Sequence, residues 1–116
     1  MIRFVNLTPH DIVVRLDSGK DLIIPRSGQV ARLKTFQAVE YPWGEDMPAL
    51  ATSTLEGIDG LPGPEDGVIY IASTLVAQAA ARYGRRDVVS PDTGPGSAIR
   101  DESGQIVAVR RLQQFL

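Results

Sequence analysis

The chain has 116 residues, 43% of them hydrophobic, and a formal net charge of −2 at pH 7. That length predicts one domain, residues 1–116, with a single core, and the acidic balance argues against a protein built to coat a phosphate backbone. The lack of cysteine excludes a disulfide framework and a thiolate zinc site, and the lone His10 excludes a histidine metal cluster.

The N-terminal "MIRFVNLTPHD" has no secretory apolar core, and no apolar run approaches the ~20 residues of a membrane span. The expected setting is the cytoplasm, with neither a membrane nor a long nucleic acid as partner. "IRFV" at 2–5 predicts a short strand, "NLTPHD" interrupts it, and "IVVRL" at 12–16 predicts a second. "DSGKD" at 17–21 is a hairpin turn with Gly19 supplying the positive φ, and "LIIP" at 22–25 returns. "RSG" at 26–28 turns again, and "QVARLK" at 29–34 alternates apolar and polar with period two. The first third is therefore expected to be an antiparallel meander. The proline- and glycine-rich middle predicts strands near 36–41 and 50–57, with "YPWGEDMP" between them as a hairpin tip or mobile loop. Trp43 in that tip is a packing residue or an exposed contact.

"GVIYIAS" is a near-continuous apolar run of strand formers, expected to be buried on both faces. "STLVAQAAARYG" follows as a helix near 74–83, with Ser73 or Thr74 as N-cap and Gly84 as terminator. "RRDVVS" predicts another strand, and "SAIRD" and "QIVAVRRLQQF" a final hairpin closed by "ESGQ". The fold class is α+β: a mainly antiparallel sheet from the N-terminal meander and C-terminal hairpin, with one principal helix on it, its alanine face close to the sheet.

Three groups of residues bear on chemistry. The helix start at Ser73 and Thr74 offers unpaired amides, a positive dipole end and hydroxyls, a setting for an anion or simply a cap. The loop "SPDTGPGS" at 90–97 lets backbone amides approach a ligand at Gly94 and Gly96, with Asp92, Thr93 and Ser97 as polar partners, yet it matches no Walker pattern. Its "DTG" is also found in aspartic proteases, but the second carboxylate would have to come from a symmetric dimer. The third group is arginines: Arg82, Arg85, Arg86, Arg100, Arg110 and Arg111. Arg110 and Arg111 are expected on one strand, facing opposite ways, so that one grips a phosphate while the other meets solvent or a partner subunit. For most of the six, solvation or pairing with Asp87, Asp101 and Glu102 is the plainer outcome. His10 and Arg26 stand in turns, where a base or a cation can reach a ligand. No nucleophile, base and oxyanion site come together. Binding without catalysis, and without a cofactor, is therefore expected.

The succession "NLTPHDIVV", "IPRSGQVARL", "GVIYIASTLVAQAA" and "DVVSPDTGPGSAIRDESGQIVAVRRLQQF" resembles small proteins of phages and prophages over most of the chain, least so in the middle third. Among these it looks like the Thoeris anti-defence type 1 family. That resemblance implies an oligomeric sponge, which sequesters cyclic ADP-ribose isomers made by bacterial TIR-domain enzymes and leaves the signal intact. Some members also hold cyclic di- or trinucleotides at a separate site. The resemblance implies Asp92 and Arg110 at the ADP-ribose site, Tyr83 as an aromatic at the helix end, and Arg26 at the second site. Asp92 departs from it, since Asn is the more neutral ligand for a pyrophosphate. The expected partners are thus a cyclic nucleotide and further copies of the chain, meeting through "QQFL" and the Trp43 loop. A small structural or interaction protein of a phage particle is the competing reading, and a small nucleotide-processing enzyme the third.

Overall fold

The computed structural model describes residues 1–116 and is α+β, with one helix and ten strands. Strands β1 (Arg3–Asn6), β6 (Val68–Ile71), β7 (Val88–Pro91) and β10 (Leu112–Gln114) form one sheet in that spatial order. A second sheet has the order β3 (Asp21–Ile24), β2 (Ile12–Arg15), β9 (Ile106–Val109), β8 (Ala98–Arg100). Strands β4 (Arg32–Glu40) and β5 (Leu50–Asp59) pair only with each other. Helix α1 (Thr74–Arg82) joins β6 to β7.

The alternation of side chains explains the layering. Val68, Tyr70 and Ala72 point to one side of the first sheet and meet Val76, Ala77 and Ala80 of α1. Ile71 points to the other side and meets Ile12, Val14, Ile24 and Val109 of the second sheet. The first sheet therefore lies between helix and second sheet, and the unbroken apolar run at 68–72 follows from burial on both faces. The alanine side chains of α1 allow the close approach: Ala77 and Ala80 are essentially fully buried.

Ser73 caps α1, its Oγ accepting the Val76 amide at 3.3 Å. At the other end Gly84, with φ +81°, returns its amide to Ala81, and the Arg85 amide returns to Ala80, both at 3.0 Å. This is the paired arrangement that satisfies orphan carbonyls when a glycine stops a helix.

Several connections differ from the sequence expectation. The N-terminal strands do not form one meander. Strand β1 leaves β2 and pairs in parallel with β6, which pairs in parallel with β7 across α1. The helix packs on this sheet, not on the one holding the β2–β3 and β8–β9 hairpins. The cause lies in "NLTPHD", where Asn6 is buried and uses all of its amide. Its Nδ2 donates to the carbonyls of His10 (2.8 Å) and Ile24 (3.0 Å), and its Oδ1 accepts from the Thr8 amide and hydroxyl. The chain is thereby turned out of one sheet and into the other. The expected segments at 29–34 and 36–41 give one strand, β4, which takes residues 32–40 and leaves out 29–31 and 41. "QIVAVRRLQQF" is not one strand: it breaks at Arg110–Arg111, leaving β9 in one sheet and β10 in the other.

The β4–β5 hairpin projects as an arm. Its root packs on the helix side through Leu33 and Ile58, but none of the 19 buried residues lies between Arg32 and Gly67. The molecule measures 58 × 39 × 26 Å.

Candidate functional site

Parallel strands gather their carboxyl ends on one edge, and the loops that leave those ends are the usual ligand-binding loops of such sheets. Here β1, β6 and β7 end side by side at Asn6, Ile71 and Pro91. The segments that follow are Thr8–Asp11, Ser73–Thr74 and Asp92–Thr93. Strand β10 is antiparallel, with Leu112 opposite Pro91, so Arg110 and Arg111 stand at the same edge. Arg26 joins from the other side through a bridge with Asn6. At ~4.8 Å per strand the four-stranded edge spans roughly 14 Å. Of the residues singled out in the sequence, Ser73, Thr74, Asp92, Thr93, Ser97, Arg110 and Arg26 are brought to this edge.

The corner at β7 and β10 is the most organised part. Asp92 Oδ2 accepts from Arg111 Nε at 2.7 Å, and Asp92 Oδ1 accepts the Gly94 amide at 3.0 Å. The guanidinium of Arg111, and next the Gly94 amide, hold the Asp92 carboxyl below its ordinary range. Ser97 is completely buried, and its Oγ accepts the amides of both Arg110 (3.0 Å) and Arg111 (3.2 Å). Its carbonyl also takes the Arg110 amide at 3.0 Å. This capture breaks the expected strand at 110–111, so the two arginines do not simply alternate across a sheet. Their roles differ from the expectation too: Arg111 is the one held by a carboxylate. None of the ion pairs uses Arg110, which is exposed. A Cβ on Gly96 would come within 2.8 Å of Arg111 Nη2, so the glycine gives the guanidinium room to lie over the loop.

In the middle of the edge, the Ser73 hydroxyl is occupied as the cap. The Thr74 hydroxyl meets that of the buried Ser90 at 3.5 Å. The amides of Thr74 and Leu75, in the first helical turn, have no intrahelical partner. At the β1 end, Arg26 Nε lies 3.5 Å from Asp11 Oδ1, and its Nη1 donates to the Pro9 carbonyl at 3.3 Å. Two open hollows flank the edge. One of about 320 Å³ on the helix side touches Pro9, Arg32, Ser73 and Leu75. The other, about 190 Å³ on the second-sheet side, touches Asp11, Pro91, Thr93 and Val107.

Two singled-out residues lie elsewhere. Tyr83 is 56% exposed at the far end of α1, ~13 Å from the helix start at 1.5 Å per residue. Arg100 stands at the β8–β9 hairpin tip, donating to the Gly104 carbonyl at 2.6 Å. Among the other arginines, Arg85 pairs with Asp87 at 2.8 Å and lies over the Tyr70 ring at 6.0 Å. Arg86 binds the Ala81 carbonyl at the helix end. Sequence reasoning missed Asn6, Asp11 and Ser90. Asn6 carried a signal, an Asn two residues before a Thr at the end of an apolar run, which is an Asx-turn pattern. The other two carried none.

No three metal-ligating side chains stand together in the structure, and no helix is long and apolar enough to cross a membrane. The fold and site define a small α+β chain with a polar, cation-bearing edge on a parallel strand trio. No family model, no curated protein and no solved structure matches it.

Proposed function

We propose that this chain is a binding protein that sequesters a small phosphate-bearing nucleotide, of the cyclic ADP-ribose class implied by the sequence resemblance, without cleaving it. The observation that carries this reading is the edge itself. Arg110 is free of any carboxylate and stands beside an ordered loop at the carboxyl ends of parallel strands, near the open first turn of α1. An arginine fork, backbone amides and hydroxyls complement a pyrophosphate and its riboses. Asp92 is the weaker candidate for direct contact, because its charge is engaged by Arg111; its part is to hold that arginine in place. Tyr83 contributes stacking only from another subunit, since α1 holds it away from the edge of its own chain. Arg26 is the anchor for a second anion, in competition with Asp11. The hydroxyls of Ser73, Thr74 and Ser97 are engaged within the chain, so the Arg110 fork and the open amides of the first helical turn are the principal contacts for the ligand.

The test is to incubate the purified chain with cyclic ADP-ribose, remove unbound ligand, heat-denature the protein and identify the released molecule by mass spectrometry. Recovery of intact ligand is expected. Recovery of a cleaved product makes the chain an enzyme, and recovery of nothing overturns the reading. The last outcome would favour the competing assignment to an interaction protein, for which the projecting arm is the specific observation.

A further inference from the structure

We propose that the hollow between β2 and β9 seats the base of the ligand, and that Asp11 selects a purine with an amine at position six: adenine over hypoxanthine. This rests on the reading of the carboxyl edge as a nucleotide site and adds which base that site takes.

Two irregularities of the second sheet make the hollow. Strands β2 and β9 pair at one register position, Val14 with Val109, and part toward their amino-terminal ends. On the other side of β9, Ile99 stands opposite Ala108 and Arg100 opposite Ile106, so Val107 is the extra residue of a bulge. A bulge re-aims side chains that a regular strand would alternate between two faces. The successive residues from Ile106 to Val109 therefore all border the hollow, together with Ile12, Val13 and Pro91. Ile12, Ala108 and Val109 are buried there, while Ile106 and Val107 remain exposed. A dry cavity of about 150 Å³ holds one benzene ring. At about 190 Å³ and open to solvent, this hollow accommodates a single bicyclic base and not a dinucleotide.

Charge decides which part of the ligand enters. The polar residues lining the hollow are Asp11 and Thr93, and no lysine or arginine lines it. The contacts of the Asp11 side chain within the chain use Oδ1, which accepts the Arg26 amide at 3.0 Å and lies 3.5 Å from Arg26 Nε. Oδ2 is left as an acceptor, which repels a phosphate and suits an N–H donor. The exocyclic amine of adenine donates to it, whereas the oxo group of hypoxanthine would set two acceptors face to face. A carboxylate accepting from an exocyclic amine is one of the pairings by which proteins read bases. The hydroxyl of the exposed Thr93 donates to a ring nitrogen. The hollow on the helix side has the opposite character: Arg32 and Ser73 line it and no carboxylate does, so it suits the anionic part of the ligand. Position agrees with this division. Val109 directly precedes Arg110 and stands opposite Val14, three residues from Asp11, ~10 Å at 3.3 Å per residue. A base at Asp11 and a phosphate at Arg110 are within the reach of one nucleotide.

Calorimetric titration of the full chain with cyclic ADP-ribose and with cyclic inosine diphosphate ribose reads the preference. The parent is expected to bind the adenine compound about ten-fold or more tightly than the hypoxanthine compound. Asp11→Asn keeps an Oδ1 acceptor for the Arg26 amide and puts a donor in place of Oδ2, so the ratio should shrink to within about three-fold. Arg110→Ala should weaken both compounds and leave the ratio as it is, because it acts on the phosphate. Val107→Trp, an exposed change, fills the hollow and should weaken the adenine compound about ten-fold or more, with melting temperatures showing that each variant is folded. A parent that binds neither compound removes the nucleotide reading, and the base assignment with it. A parent that binds without the adenine preference, or a ratio that Asp11→Asn leaves unchanged, overturns the base assignment alone. So does full affinity in Val107→Trp.

Discussion

Ile71 in β6 and Val39 in β4 are both β-branched residues inside a strand, yet Ile71 is wholly buried and Val39 is 56% exposed. The difference separates the body from the arm. In the body, strands exist because side chains leave water, on both faces of the first sheet, between α1 and the second sheet, and on the inner face of the second. In the arm, beyond a root packed on the helix side through Leu33 and Ile58, β4 and β5 are held by cross-strand pairing, with a bulge after Lys34 where Glu56 is the extra residue. Strand propensity measures fit to a half-buried surface. The arm has that propensity without the burial: none of the buried residues lies along it.

The comparison breaks most directly by truncating the two residues in turn. Ile71→Ala should cost about 2 to 5 kcal/mol, because the gap opens between two packed layers. Val39→Ala should stay within about 0.5 kcal/mol for the monomer. Urea unfolding of both variants checks this, and similar losses would mean that the arm is part of the body's cooperative unit. At the arm's root, Gly60→Ala meets two obstacles: φ is +80°, and the new Cβ would lie 2.7 Å from the Val30 carbonyl. A loss of about 2 to 4 kcal/mol is expected in the same assay. Within the body, Ser97→Ala removes a buried acceptor from the Arg110 and Arg111 amides. It should cost about 1 to 3 kcal/mol and loosen the corner where Arg110 is presented, visible as faster amide exchange at 110–111.

The smallest effect is acidic. Asp87 is held below its ordinary range chiefly by the Arg85 guanidinium, and Asp92 by that of Arg111. The unfolded chain therefore takes up these protons first as pH falls. The stabilisation is complete above about pH 4 and is lost as pH drops through the lowered folded values. Melting temperature should fall as pH drops below about 4, and Asp87→Asn should flatten that fall, at a cost of less than about 1 kcal/mol near neutral pH.

What could be read beforehand follows from how local each cause is. The helix and its two ends are set by neighbouring residues, with Ser73 bonding three residues on and Gly84 turning back to Ala81. The run at 68–72 declared its two-sided burial by lacking polar alternation. The parallel pairing of β1 with β6 could not be read, because its partner lies in the other half of the chain. The break at Arg110 was equally hidden, since the hydroxyl that causes it belongs to Ser97, 13 residues earlier. The same holds for the site. Asp92, Thr93, Ser73 and Arg110 were recognisable as polar groups of the right chemistry. That Arg111 holds Asp92, leaving Arg110 without a carboxylate, depends on how the strand breaks. Tyr83 looked like part of the group, but the length of α1 carries it to the opposite edge.

The central claim is that the carboxyl edge of the body, through Arg110, holds a phosphate-bearing ligand. Calorimetric titration with cyclic ADP-ribose of the parent chain, Arg110→Ala and Arg110→Lys tests it, with melting temperatures confirming intact folds. Arg110→Ala should lose roughly thirty-fold or more in affinity, the equivalent of about 2 kcal/mol or above for a buried charge-assisted pair. Lysine should restore only part of it, because the charge returns without the fork. Parent and Arg110→Ala titrating with the same affinity would contradict the account.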